Sequence, residues 1–320
     1  MLAHHRRDLS ILAAIGVILV VLGFSAHGFF TLGNLRDLVM ANMSVLMAAL
    51  GMTLVILTGQ IDISVGSQFA ICSVTAGVLA KAGLSTPVAG VGACLLGALF
   101  GSLNGALIAW VEIPSIVMTL AVMVGLRDGL RWMTEGAWVQ DLPPSFQWFG
   151  RSQAASEWLT VAAALLLASA LAVGLRHLAA GRAVYAAGSN ADAARLAGVD
   201  PRKVVFWVFV LMGALTGCAA FFNSVRFNQI PSNAGLGLEL EVIAAVIVGG
   251  SAITGGRGTV AGTLLGVILL GIIGPALTFL GISAYWERAI QGAIILVAVA
   301  TDAVRVRRES YAGGVATPRA

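Results

Sequence analysis

The sequence predicts an all-α polytopic membrane protein of about ten transmembrane helices, with both termini cytoplasmic and an internal repeat. Three observations predict it. Apolar residues make up 58% of the 320 and charged residues only 11%, against about 45–50% and about 25% in soluble domains. Apolar stretches recur at or near the roughly 20 residues that a spanning helix requires. Basic residues divide unevenly between alternate connections, as they do when Lys and Arg are held on the cytoplasmic side.

The stretches follow in order. Residues 9–26, after His4, His5, Arg6 and Arg7, imitate a cleavable signal but read as a retained first span. Residues 39–57 form the second. The run 67–80 is short and reads as a tilted, broken or re-entrant helix. Residues 87–110 carry Gly97, Gly101 and Gly105 at the four-residue spacing that lets helix backbones approach closely. Residues 115–132 end in Arg127, Asp128 and Arg131, of which the last two can pair as an interfacial ion pair. Residues 158–176 and 204–225 follow, the latter with Gly213 and Gly217. The run 240–252 is again short, with Glu239 and Glu241 placed to stabilise its N-terminus. Residues 259–280, led by Gly258, Gly262 and Gly266, and residues 286–303 complete the ten.

With the N-terminus inside, the cytoplasmic segments hold 12 basic residues and the outer ones 7. The chain then divides into a cytoplasmic segment 1–8, a single transmembrane domain 9–303 with a cytoplasmic loop 177–203, and a cytoplasmic tail 304–320. Nucleic acid is a poor partner, because the basic residues form no patch with interleaved aromatics.

Two regions, around 39–80 and 240–280, share one plan: a helix, a Gly-rich polar interruption and another helix. The interruptions run from Thr58 to Ser67 and from Gly249 to Gly258. Paired interruptions of this kind point to an internal repeat surrounding a pathway.

Catalytic apparatus is not visible. The two lysines, Lys81 and Lys203, precede Ala82 and Val204, so there is no phosphate loop. No Gly-x-Ser-x-Gly elbow occurs. His4, His5, His27 and His177 lack partners at ligand spacing, and Cys72, Cys94 and Cys218 sit in apolar runs as small core residues, so no metal site is expected.

Polar residues inside apolar spans are the candidate functional groups. Asp62 lies in a Gly-flanked break, where it either caps the following helix or contacts substrate. Asn42, Asn104 and Asn223 either bind a neutral polar ligand or hold helices together. Gln60 and Ser64 complete the set of translocation-path candidates. In the long basic loop, residues 188–198 read as one short helix, with Ser189 or Asn190 as N-cap, Asp192 in the first turn and Gly198 at the C-terminus. So short a helix needs a partner to pack on. Either the membrane core or another protein would serve.

That loop, with Gly181 to Gly188 leading into it, resembles the coupling segment of monosaccharide ABC importer permeases, the ribose, xylose, rhamnose and autoinducer-2 group of the branched-chain amino acid permease superfamily. Thr58 to Ser67 resembles that family's Ile-Asp-Leu-Ser-Val-Gly-Ser motif, with Ile63 in place of Leu. Glu241 through Gly262 is similar to its run from an acidic residue through Ile-Ala-Ala to two glycine pairs. The segments Arg131 to Pro143 and Pro231-Ser232-Asn233 look closest to rhamnose-type or autoinducer-2-type permeases. The resemblance covers residues 35–303 and implies a bacterial inner-membrane permease that imports a monosaccharide. It implies a second permease copy or a related one, a periplasmic sugar-binding protein, and cytoplasmic ATP-binding subunits that carry ATP and Mg, so that no cofactor is expected on this chain. By resemblance, Asn190, Ala193, Ala194, Arg195, Leu196 and Gly198 dock into the ATPase. The rival expectation is an ion-coupled carrier acting without an ATPase, with Asp62 as its coupling site.

Overall fold

The computed structural model describes residues 2–283, 285–294, 296, 297 and 300, with the backbone alone for residues 2–8. The helices are α1 (Leu2–Ser25), α2 (Leu32–Leu57), α3 (Val65–Lys81), α4 (Thr86–Ala109), α5 (Ser115–Thr134), a 3-10 turn (Gln147–Gly150), α6 (Gln153–His177), α7 (Ala179–Ser189), α8 (Ala191–Leu196), α9 (Pro201–Ser224), α10 (Leu238–Val248) and α11 (Val260–Phe279). Residues 285–294 are also helical. Each of the ten apolar runs therefore contains helix, although the last four residues of 240–252 are not helical. Among the described residues, α2, α4, α6, α9 and α11 are long and apolar enough to cross a membrane. The tail 304–320 lies outside the described residues.

From Val45 to Leu57 helix α2 is apolar on every side save for Thr53, and such a segment belongs in the interior. All its residues from 46 to 57 are buried, enclosed by α9, α10, α11 and α6. The tightest pair is α4 on α9, for a reason visible in the sequence. A side chain on Gly97 would strike the Gly213 carbonyl, one on Gly213 the Gly97 carbonyl, one on Gly101 the Phe209 carbonyl, and one on Gly217 the Ala93 carbonyl. The two expected glycine stripes are each other's partner, and backbone meets backbone. The third stripe serves a different pair: Gly262 and Gly266 bring α11 onto Gly249 at the end of α10 and Ala245 within it. On the opposite face of α4, Val88, Val91, Leu95, Leu99 and Leu103 are exposed, at the helical spacing of a lipid-facing stripe.

The two short runs differ from their expected bounds. Helix α3 begins at Val65. Helix α10 stops at Val248 after 11 residues, about 16 Å at helical rise, too short to cross the roughly 30 Å hydrocarbon layer. Gly249 and Gly250 end it, and residues 249–259 run on as irregular chain. Both interruptions open alike. Gly59 N–H donates to Ile56 O and Gln60 N–H to Val55 O; Gly250 N–H donates to Ile247 O and Ser251 N–H to Val246 O. This is the paired capping that stops a helix at a left-handed glycine.

Candidate functional site

The break after α2 folds into a buried polar knot. Asp62 and Ser64 are fully buried. Asp62 Oδ1 accepts from Ser64 N–H at 2.9 Å and from Ser64 Oγ–H at 2.5 Å, and the Gln68 amide reaches Asp62 Oδ2 at 3.4 Å. Ser64 Oγ in turn accepts from Gln68 Nε2 at 2.7 Å and from Asn104 Nδ2 of α4 at 2.9 Å. Ser64 is the N-cap residue of α3, so the carboxylate secures the start of that helix from two residues upstream. Asp62 accepts from the N–H of the N-cap residue itself and not from an N–H of the first turn of α3. Three flanking residues take no part in the knot: Gln60 is half-buried on its rim, while Ser115 and Thr119 of α5 accept from the N–H groups of Ile61 and Ile63 at 3.3 and 3.0 Å. Gln68, Ser115 and Thr119 escaped the sequence reading because each lies within the first five residues of its helix, where a polar residue at the end of an apolar run is unexceptional.

The second interruption meets the first. Gly256 N–H donates to Leu57 O at 2.9 Å, and a side chain on Gly59 would stand 3.3 Å from Thr254 O. Helix α7 closes the junction from a third side. A side chain on Gly188 would strike Leu57 O and Gly256 N, and one on Gly256 would strike Ser189. Tyr185 Oη–H donates to Gly258 O at 2.8 Å, and burial pushes its phenol above the usual tyrosine range.

The stretch 188–198 is therefore not one helix, which corrects the expected boundary. Gly188 and Ser189 finish α7, where the bare glycine is needed against α2. Asn190 alone caps α8, its Oδ1 accepting from the Asp192 and Ala193 N–H groups at 3.0 Å each. Gly198, at φ +81°, ends α8: its N–H donates to Arg195 O and that of Val199 to Ala194 O. Ala194 is buried against the chain, while Leu196 is 92% exposed and Asn190, Ala193, Arg195 and Gly198 are exposed with it. Arg195 pairs with Asp192 at 3.0 Å in solvent.

The remaining candidates lie apart from the knot. Asn42 Nδ2 donates to Leu38 O of its own helix at 2.7 Å, its Oδ1 has no hydrogen-bond partner among the described residues, and the side chain fills the space above Gly271 of α11. Asn223 lines a chamber of about 570 Å³ between α2, α3, the residues before α10 and the helical residues after 284. Asp128 and Arg131 form the expected exposed pair at 3.6 Å. Arg127 turns inward to Glu239 at 4.0 Å, beside Gly66.

Comparison with known proteins agrees with this architecture. Residues 34–299 match the family model described as branched-chain amino acid transport system / permease component. The autoinducer 2 import system permease protein LsrC of Escherichia coli O157:H7 is 34% identical over 326 aligned residues, covering 98% of this chain and 94% of that protein. The Salmonella typhi and Shigella flexneri proteins of the same name are also 34% identical over 98% of this chain, covering 92% and 94% of their own lengths. No solved structure matches. With a match of this extent to the family model, and relatives of this identity along almost the entire chain, the protein belongs to the family of membrane permeases that form the permease component of branched-chain amino acid-type transport systems.

Proposed function

We propose that this chain is the permease subunit of an ATP-binding-cassette importer in the bacterial inner membrane, and that it carries a small hydroxylated molecule of the monosaccharide class. Autoinducer 2, named for its relatives, is the first substrate to test, and rhamnose the second. In this reading a periplasmic binding protein delivers the substrate, two permease copies or a related pair enclose the path, and cytoplasmic ATPase subunits supply the energy.

One observation carries the reading: α7 and α8 form a lever seated on both interruptions. The end of α7 touches Leu57 and Gly256, while the α8 tip offers the exposed Leu196 side chain. An apolar side chain so exposed at the tip of a six-residue helix suits insertion into a partner's cleft. Movement of that tip would reach α2 and the α10–α11 link without an intervening flexible segment. The inward Ala194 is the hinge side of the lever, and Leu196 with Arg195 is the contact side.

The test is uptake of autoinducer 2 by cells expressing the complete system. Uptake that stops on ATP depletion and survives collapse of the proton gradient supports the importer. The reverse pattern would return Asp62 to the role of a coupling site and end this reading.

A further inference from the structure

We propose that the 570 Å³ chamber is a recognition site for a neutral polyhydroxylated solute, in which Glu241, Glu287, Gln291, Asn223 and Ser44 take the solute's hydroxyls while Phe69 supplies an apolar face. The direction of travel through it rests on the import reading above, but its ligand chemistry can be tested alone.

The volume lies within the roughly 300–1,000 Å³ of small-molecule sites. Its lining is shared by residues far apart in sequence: Ser44 from α2, Phe69 from α3, Asn223 from α9, Glu241 from α10, and Glu287 and Gln291 beyond α11. Ser44 is 4% exposed, yet its Oγ has no hydrogen-bond partner among the described residues. A buried hydroxyl left without a partner is costly, and this one borders the chamber. The Glu241 carboxylate, in the first turn of α10, likewise receives no hydrogen bond or ion pair among the described residues. Glu287 takes one, from Gln291 Nε2 at 3.3 Å. Its carboxylate lies over Gly274 of α11, both oxygens 2.8 Å from where a side chain would begin. The absence of a side chain at 274 is what lets this carboxylate enter.

The donor and acceptor pattern selects the ligand. Carboxylates only accept, whereas the amides and the hydroxyl both donate and accept. A solute bearing several hydroxyls satisfies all five groups. An anion meets two carboxylates against the single guanidinium of Arg288, which already donates to Leu236 O at 3.4 Å. An apolar solute would leave every one of these groups stranded.

The experiment is a thiol-protection assay on the full chain in nanodiscs, with Cys72, Cys94 and Cys218 replaced by alanine and Ser44→Cys as reporter. Labelling by a water-soluble maleimide is followed with autoinducer 2 or D-ribose, and with acetate or choline as charged controls. Asn223→Cys is the second reporter, should Ser44→Cys fail to fold. Autoinducer 2 or D-ribose at about ten times its dissociation constant should slow labelling about tenfold. Adding Glu241→Gln should remove most of that protection, and acetate and choline should give none. Labelling unaffected by either polyol in both reporters, or slowed by acetate or choline instead, overturns the proposal. Failure of the importer reading shows elsewhere, in the energy source for uptake, and leaves this result standing.

Discussion

The knot around Asp62 and the chamber around Glu241 are both polar regions built into an apolar bundle, and they differ in one respect that separates their roles. At the knot each carboxylate oxygen has a donor from this chain and Ser64 Oγ takes two donors besides giving one, so that only the amide oxygens of Gln68 and Asn104 are left without a partner among the described residues. At the chamber Ser44 and Glu241 face empty space. A buried polar group that its own fold satisfies contributes to the fold. One that faces a void without a partner is matched to something that arrives. Asp62 is the more conspicuous residue in the sequence, yet by this criterion it is the less available to a ligand.

The first way to break the comparison is to damage the scaffold beneath both regions, where the largest effect is expected. Gly97→Leu or Gly213→Leu would force α4 and α9 apart at a point where backbone touches backbone. Overpacking costs about 1–3 kcal/mol and more when neither side can yield, so both variants should lose the monodisperse, detergent-stable form seen by size-exclusion chromatography. A normal elution profile would show that the α4–α9 contact is adjustable.

Next comes the knot. Asp62→Ala leaves the Ser64 N–H and hydroxyl without their acceptor and takes the longer of its two bonds from the Gln68 amide, at a cost of about 3 kcal/mol. Asp62→Asn keeps one acceptor oxygen and should cost about half that. Thermal unfolding reads the loss, and uptake should fall only as far as the amount of folded chain. If Asp62→Asn folds normally but carries nothing, Asp62 belongs with the ligand-facing groups. Glu241→Gln should behave in the opposite way. Its unfolding free energy should change by no more than about 0.5 kcal/mol, while uptake falls about tenfold through loss of a charged hydrogen bond to substrate.

Much of this was legible in the sequence because apolar length and glycine spacing are local signals. Nine of the ten runs are helical along nearly all their described length and the run 240–252 as far as Val248, and the stripes at Gly97, Gly101 and Gly213, Gly217 mark the contact they make. The partnership between stripes, however, is a property of the fold. So is the meeting of Gly59 with Thr254 across nearly two hundred residues. The chamber was least legible. Asn223 was singled out for lying in a span, but Ser44, Glu287 and Gln291 look unremarkable until α2, α9 and the segment beyond α11 stand together. The split of 188–198 into the end of α7 and a separate α8 also depends on a distant contact, since only the approach of Leu57 and Gly256 fixes Gly188 in the earlier helix.

Helix α8 sharpens the comparison, because it presents exposed groups to a protein rather than to a small solute. The smallest stability effect is expected here and the cleanest separation of stability from function. Leu196 touches so little of its own chain that Leu196→Asp should leave melting unchanged while abolishing ATP-driven uptake. Gly198 lies nearby, with open space where a side chain would go, so Gly198→Ala meets only the left-handed backbone penalty of about 1 kcal/mol and should retain uptake. Gly198→Pro is a harsher change at the same site. Proline cannot adopt φ +81° and has no N–H to give to Arg195 O, so the end of α8 must unwind. The folded bundle should survive, because α8 packs on it through little more than Ala194, while co-purification of an ATPase subunit is lost. Should Gly198→Pro keep that subunit and its uptake, the lever does not run through α8, and the two interruptions must receive their motion from another surface of the chain.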